Sequence, residues 1–240
     1  MKTKHYLLFL FVLIYCNSFG QHTPQKLYNN LNLYDPAVVK KYNDMVISKK
    51  MSNTDIEQIT GTPYLSKNFE KGNIITKDST LYSGIYLRYN AYEDIMEFKK
   101  DSFALEISNK FPIKQLSIKG IVYEKKVFKY DNSQKIGYFE RLEKGSINLY
   151  ARKTIAYIKA KPSRGYQDAR PAEFKKNKTE FFLTKGETPN VSFIANKSTL
   201  INLLGEEKKQ ISNYIKSNRL NIKKECDLRK IITYYNYLKK

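Results

Sequence analysis

Histidine and cysteine are nearly missing from this chain, and each scarcity narrows what it can do. Its 240 residues hold two histidines, His5 and His22, and two cysteines, Cys16 and Cys226. His5 and Cys16 fall in a stretch that reads as a removable leader, residues 1–20. Lys2 and Lys4 make its positive end, Tyr6 to Tyr15 its apolar core, and Ser18-Phe19-Gly20 a small-residue cleavage site before Gln21. The apolar run is too short to span a bilayer. Lipidation at Cys16 is the competing reading, but Tyr15 stands where lipoprotein signals need a small residue. An uncleaved anchor or a buried N-terminal helix is the other alternative. After cleavage His22 lies at the extreme N-terminus, so no Ser-His or Cys-His nucleophile pair is expected inside the domain, and no histidine zinc site. Cys226 then has no partner for an intramolecular disulfide in an oxidising compartment. It reads as a small apolar residue on a helix face, with intermolecular pairing as the sharper alternative.

Other absences point the same way. There is no Gly-x-Ser-x-Gly, Ser-x-x-Lys, Walker loop or Gly-x-Gly-x-x-Gly in a fitting context. No solenoid-length repeat, coiled coil or low-complexity tract occurs. No cofactor and no metal are expected. Tryptophan is absent, yet there are twenty tyrosines and thirteen phenylalanines. Aromatics suit pleated, half-buried surfaces, so a sheet-rich protein is expected.

What is present is organised around Leu81 to Phe98. Ile85, Leu87 and Tyr89 alternate with Tyr86, Arg88 and Asn90, and a second alternating run from Asp94 to Phe98 returns. The pair reads as a hairpin. Arg88 faces Glu93, Asp94 and Glu97 across it and can form a charge-assisted fork, a structural ion pair of Arg88 with Asp94 and Glu97. Asn90 is expected in a left-handed turn. Asp94 and Glu97 are also the weak catalytic candidates, because paired carboxylates can do acid–base work at a glycosidic bond.

Further short alternating segments follow Asn73 to Thr76. They are Phe103 to Ile107, Leu116 to Ile118, Gly120 to Tyr123, Val127 to Tyr130, Ile136 to Leu142, Ile147 to Tyr150, Thr154 to Ile158, Phe181 to Leu183 and Val191 to Ala195. Turn clusters separate them, and a loop runs from Lys161 to about Ala172. Before them, Asp35 and Pro36 predict a helix to Met51. After them the period shifts to near 3.6. Ser198 opens a helix that Gly205 ends, a second runs from Glu206 to Ser217, and a third follows with Asn221 as a possible cap. The fold class is therefore α+β: a curved antiparallel meander of about eight to ten strands, an N-terminal helix, and two to three short C-terminal helices. Residues 21–60 are a helical lead-in, 61–196 the β domain, and 197–240 helices packed on the sheet.

A family likeness rests on Gly61-Thr62-Pro63-Tyr64-Leu65, Phe69 with Gly72, Leu87-Arg88-Tyr89-Asn90, Tyr92 with Asp94, and Glu97-Phe98. Gly137-Tyr138-Phe139, Leu149-Tyr150, Asp227-Leu228 and Tyr234-Tyr235-Asn236 complete it. From about Thr60 onward the chain resembles a group of uncharacterised exported proteins of Bacteroidetes-type bacteria. The resemblance implies export and carries no activity.

The formal net charge is +20. From Gln21 to Phe98 nine basic residues balance nine acidic ones; from Lys99 onward there are 32 against 14. Arg152 to Lys185 alone holds ten against three. Such a segment attracts polyanions. Arg152, Lys153, Tyr157, Lys161, Arg164, Tyr166 and Arg170 are the candidate ligand-binding residues. No nucleic-acid reader motif is present, and export argues against one. The sequence reads as an exported, non-catalytic protein of the periplasm or cell envelope, or a secreted one. Its basic half would bind a lipid headgroup, an acidic glycan or an envelope protein. A carboxylate-dependent hydrolase of envelope glycans and a structural subunit of an envelope assembly are the alternatives.

Overall fold

A computed structural model describes residues 27–28, 46–47, 59–163 and 168–240. Strands come first: β1 (Leu27–Tyr28), β2 (Val46–Ile47), β3 (Glu70–Thr76), β4 (Leu81–Asn90), β5 (Ile95–Lys100), β6 (Phe103–Ile107) and β7 (Ile113–Ile118). Next are β8 (Ile121–Tyr130), β9 (Ser133–Glu143), β10 (Ile147–Arg152), β11 (Ile155–Ile158), β12 (Glu173–Lys176), β13 (Glu180–Lys185) and β14 (Ser192–Phe193). Ten of them form a curled antiparallel half-barrel sheet in the order β14-β13-β10-β9-β8-β7-β3-β4-β5-β6. β2 pairs with β6, and β1 runs parallel to the start of β4. β11 and β12 make a separate ribbon. The chain ends in α1 (Lys197–Leu204), a single 3-10 turn at Gly205–Glu207, α2 (Lys208–Ser217) and α3 (Glu225–Leu238).

Several expectations need correction. The helix from Pro36 to Met51 lies outside the described residues except at Val46–Ile47, which form a strand. The leader, with Cys16 and Gln21, also lies outside them. The two segments at Gly120 and Val127 are one strand, β8. Ser198 does not cap α1; Asn196 does, its Oδ1 accepting from the Thr199 amide at 2.9 Å. Asn221 does not cap α3, which opens after Lys224. Cys226 does lie on a helix, α3, but it is exposed there rather than packed as an apolar residue.

The curl brings distant strands together. Tyr89 of β4 meets Tyr123 of β8 and Tyr138 of β9, with ring centres 5.6 and 6.0 Å apart. Leu87, Met96, Phe98 and Leu116 are buried beside them. These side chains form one buried cluster on the inner face of the curl. At its closing edge Asp94, in a left-handed turn conformation (φ 59°), accepts from the Tyr89 hydroxyl at 2.7 Å and the Tyr138 amide at 3.0 Å. Gly137 permits this approach, since a Cβ there would strike the Asp94 carboxylate.

The helices cover the far end of the sheet. Leu200, Ile211, Leu228 and Ile232 pack with Ile147, Leu149 and Leu183. Asn236 fixes α3 to β10: Oδ1 accepts from the Ile147 amide and Nδ2 donates to its carbonyl, both at 2.9 Å. Gly145 allows that contact for the same steric reason.

One end of the half-barrel closes completely. The chain leaving β13 returns so that the Val127 amide donates to Pro189 and the Val191 amide donates to Val127, both at 2.9 Å. β14 then pairs with β13. Strands β8, β9, β10, β13 and the 189–193 segment thus form a hydrogen-bonded ring. Phe128, Phe139, Tyr150, Phe182 and Val191 fill it.

Candidate functional site

Each mouth of that small ring opens into a cleft, because the residues flanking the aromatic plug alternate inward on the same strands. Glu124 and Lys126 precede Phe128 on β8, and Tyr130 follows it; Asn148 and Tyr150 precede Arg152 on β10.

At the first mouth β7 and β8 part. Only Leu116–Ile118 pairs with Ile121–Tyr123, although β8 runs on to Tyr130. The gap is a cleft of about 500 Å³, within the usual small-ligand range. Lys77, Lys114, Lys125, Lys126, Arg141 and Lys144 line it against two carboxylates, Glu124 and Glu187. Glu124 sits at the base, its side chain 12% exposed. It accepts from Lys126 at 2.8 Å, from Tyr150 at 3.0 Å, and from Arg141. Burial pushes its carboxyl up, but these donors outweigh burial and hold it below the usual range. Burial and Glu124 together raise the Tyr150 phenol. Lys126 also donates to the Thr188 carbonyl at 3.3 Å. Lys125 donates to Asn109 at 2.7 Å, and burial lowers its ammonium pKa. At the rim Lys144 pairs with Glu187 at 3.0 Å, while Lys77 and Lys114 are exposed. The buried acid is thus neutralised from inside, and the rim carries the surplus of positive charge.

The second mouth is a cleft of about 470 Å³. Arg152 lies on its floor over the Phe128 ring, 4.4 Å from the centre. Its guanidinium reaches Asp94 at 3.5 Å and Glu180 at 3.7 Å.

The structure scatters the candidate residues of the basic segment. Arg152 belongs to the second cleft. Lys153 leaves the strand on the opposite side and pairs with Glu140 at 2.6 Å and Glu225 at 3.8 Å. Tyr157 packs with Phe174 and Tyr92, ring centres 5.4 and 6.3 Å away. Lys161 and Arg170 exchange backbone hydrogen bonds at 2.9 Å, with exposed side chains. Arg164 and Tyr166 lie outside the described residues. None of the six cations of the first cleft was singled out by sequence reasoning. They come from three strands and two turns, and only strand order unites them.

The central hairpin separates its two carboxylates. Arg88 binds Glu97 through Nη2 at 2.5 Å and Nε at 3.0 Å, and stacks 3.6 Å from the Tyr64 ring centre and 4.2 Å from that of Phe69. Asp94 is not part of this pair: it turns to Tyr89, on the other face. The two candidate catalytic acids therefore do not face one another. Asn90, expected in a left-handed turn, is the last residue of β4 and is buried. Its Oδ1 accepts from the Tyr92 and Glu93 amides. Among the described residues no cluster of three His, Cys, Asp or Glu side chains could hold a metal. No described helix is long and apolar enough to cross a membrane.

No family model, curated protein or solved structure matches the chain.

Proposed function

We propose that this is an exported, non-catalytic protein of the cell envelope, and that it binds an anionic ligand in the cleft between β7 and β8. The observation that carries this reading is six cationic side chains against two carboxylates around one opening of about 500 Å³. The ligand class is a lipid headgroup, an acidic glycan or an acidic envelope protein. Export is supported by the leader-like N-terminus and by the resemblance to exported proteins. The lysines act as flexible point charges, which suits a hydrated anion better than one fixed planar group.

The test uses the chain from Gln21 and vesicles of anionic or neutral headgroups, with binding measured by co-sedimentation over a salt series. The proposal expects binding to anionic vesicles that falls as salt screens the rim. Lys114→Glu with Lys144→Glu should weaken it about tenfold or more, since two attractions become repulsions. Binding that ignores salt, charge sign and the double variant would overturn it.

A further inference from the structure

The second cleft has a different chemistry, and we infer that it is a distinct site for a carboxylated pyranose, an acidic sugar unit. Its cations are Arg152, Lys135 and Lys178, and its carboxylates are Asp94 and Glu180. Asp94 is committed to Tyr89 and Tyr138. Glu180 is not committed: its contact to Arg152 is 3.7 Å, and its side chain is 39% exposed. Charge-assisted bonds close to about 2.7–2.9 Å when geometry allows. Arg152 is thus held by two long contacts, and its buried Nε finds no hydrogen-bond partner among the described residues. Stacking on Phe128 fixes the guanidinium plane, so the group is oriented but not saturated.

A carboxylate entering the cleft can take the place of Glu180 at this fork, with Lys178 adding charge from the rim. Two rings at the opening, Tyr92 and Tyr130, are each 46% exposed. Lys135 lies 4.2 Å from the centre of the Tyr130 ring and steadies it. Exposed phenol faces suit the apolar side of a sugar ring, while Asn177 and Thr154, already joined at 3.0 Å, present polar groups for hydroxyls. A simple inorganic anion would leave these aromatic and amide groups unused. The aromatic plug separates this cleft from the β7–β8 cleft, so the inference does not rest on the proposal above.

The experiment is titration of the chain from Gln21 with a galacturonate tetrasaccharide, a neutral galactose tetrasaccharide and sulfate. Calorimetry reads affinity, and the part of the tyrosine fluorescence change that is lost in Tyr130→Ala reports on that ring, with no tryptophan emission to mask it. The uronate should bind, and the neutral sugar and sulfate should bind at least about tenfold more weakly. Tyr130→Ala and Lys178→Ala, both at exposed positions, should each weaken uronate binding about tenfold. Lys114→Glu with Lys144→Glu should leave it unchanged while weakening anionic-vesicle binding at the first cleft about tenfold or more. The inference is overturned if the uronate fails to bind a folded protein, if the neutral sugar or sulfate binds equally well, or if only the first-cleft variant weakens it.

Discussion

Replacing Glu97 with glutamine tests whether the carboxylate at the centre of the sheet is structural. Glu97 is 3% exposed and Arg88 15%. Glutamine keeps the volume and one acceptor but removes the charge. Arg88 would keep the Lys67 carbonyl at 3.1 Å and both aromatic faces, yet lose its counter-ion. Removing one partner of a buried ion pair costs about 3–5 kcal/mol. Partial exposure of Arg88 and its retained contacts bring this to about 2–3 kcal/mol. For a chain of 240 residues, each kcal/mol moves Tm by about 2–4 °C. The expected fall is therefore about 4–12 °C, read by circular dichroism on heating and by urea unfolding. Arg88→Met combined with Glu97→Leu removes both charges together. It should recover much of the loss, because an apolar pair of similar volume often replaces a buried ion pair at little cost. A Glu97→Gln shift under about 1 °C, or a double variant as unstable as the two single changes summed, would refute the reasoning.

Three further outcomes follow from the contacts. Gly137→Ala should destabilise by about 1–3 kcal/mol, because its new Cβ meets the Asp94 carboxylate that closes the curl; urea unfolding measures it. Asn236→Ala removes two bonds to Ile147 and should cost about 1–3 kcal/mol. Hydrogen exchange should then quicken in α3 before it does in β4. The Glu124 carboxyl titrates below its ordinary value of 4.5 when folded, so the unfolded chain takes up this proton first as pH falls. Its contribution is complete above that ordinary value and disappears as pH drops through the lower native one. Glu124→Gln should flatten the acid side of the stability profile.

The meander was legible because its signals are local. Period-2 alternation and turn clusters sit within a few residues, so nearly every strand from β3 to β10 could be placed. β12 gives no local signal because Glu-Phe-Lys-Lys carries one apolar residue in four, and it pairs outside the main sheet, with β11 and, at Glu173, with Thr60. The start of α1 moved by two residues because Asn196 and Ser198 are both competent caps and only backbone geometry chooses between them. Asn90 departs from the left-handed turn expected of it for a similar reason. Its side chain stabilises the turn from the end of the strand, while Asp94 takes the left-handed position, and both residue types tolerate either role.

Charge was the harder property to place, and the reason is geometric. A run of basic residues along a strand divides between two faces. Arg152 and Lys153 are neighbours in sequence, yet one turns to Asp94 and Glu180 and the other to Glu140 and Glu225. The segment with the largest local excess is thereby partly neutralised where it meets the fold. Lys77, Lys114, Lys126 and Arg141 stand far apart in the chain, but Lys77 directly follows β3, the others lie on β7, β8 and β9, and these four strands are consecutive neighbours in the sheet. Strand order gathers their side chains at one opening, and the splaying of β7 from β8 keeps that opening unfilled. Local potential in a β protein therefore depends on register and strand order more than on charge counts along the chain. Neutralising Lys161 and Arg170 together should accordingly leave the salt-dependent binding of anionic vesicles intact, while reversing Lys114 and Lys144 should not.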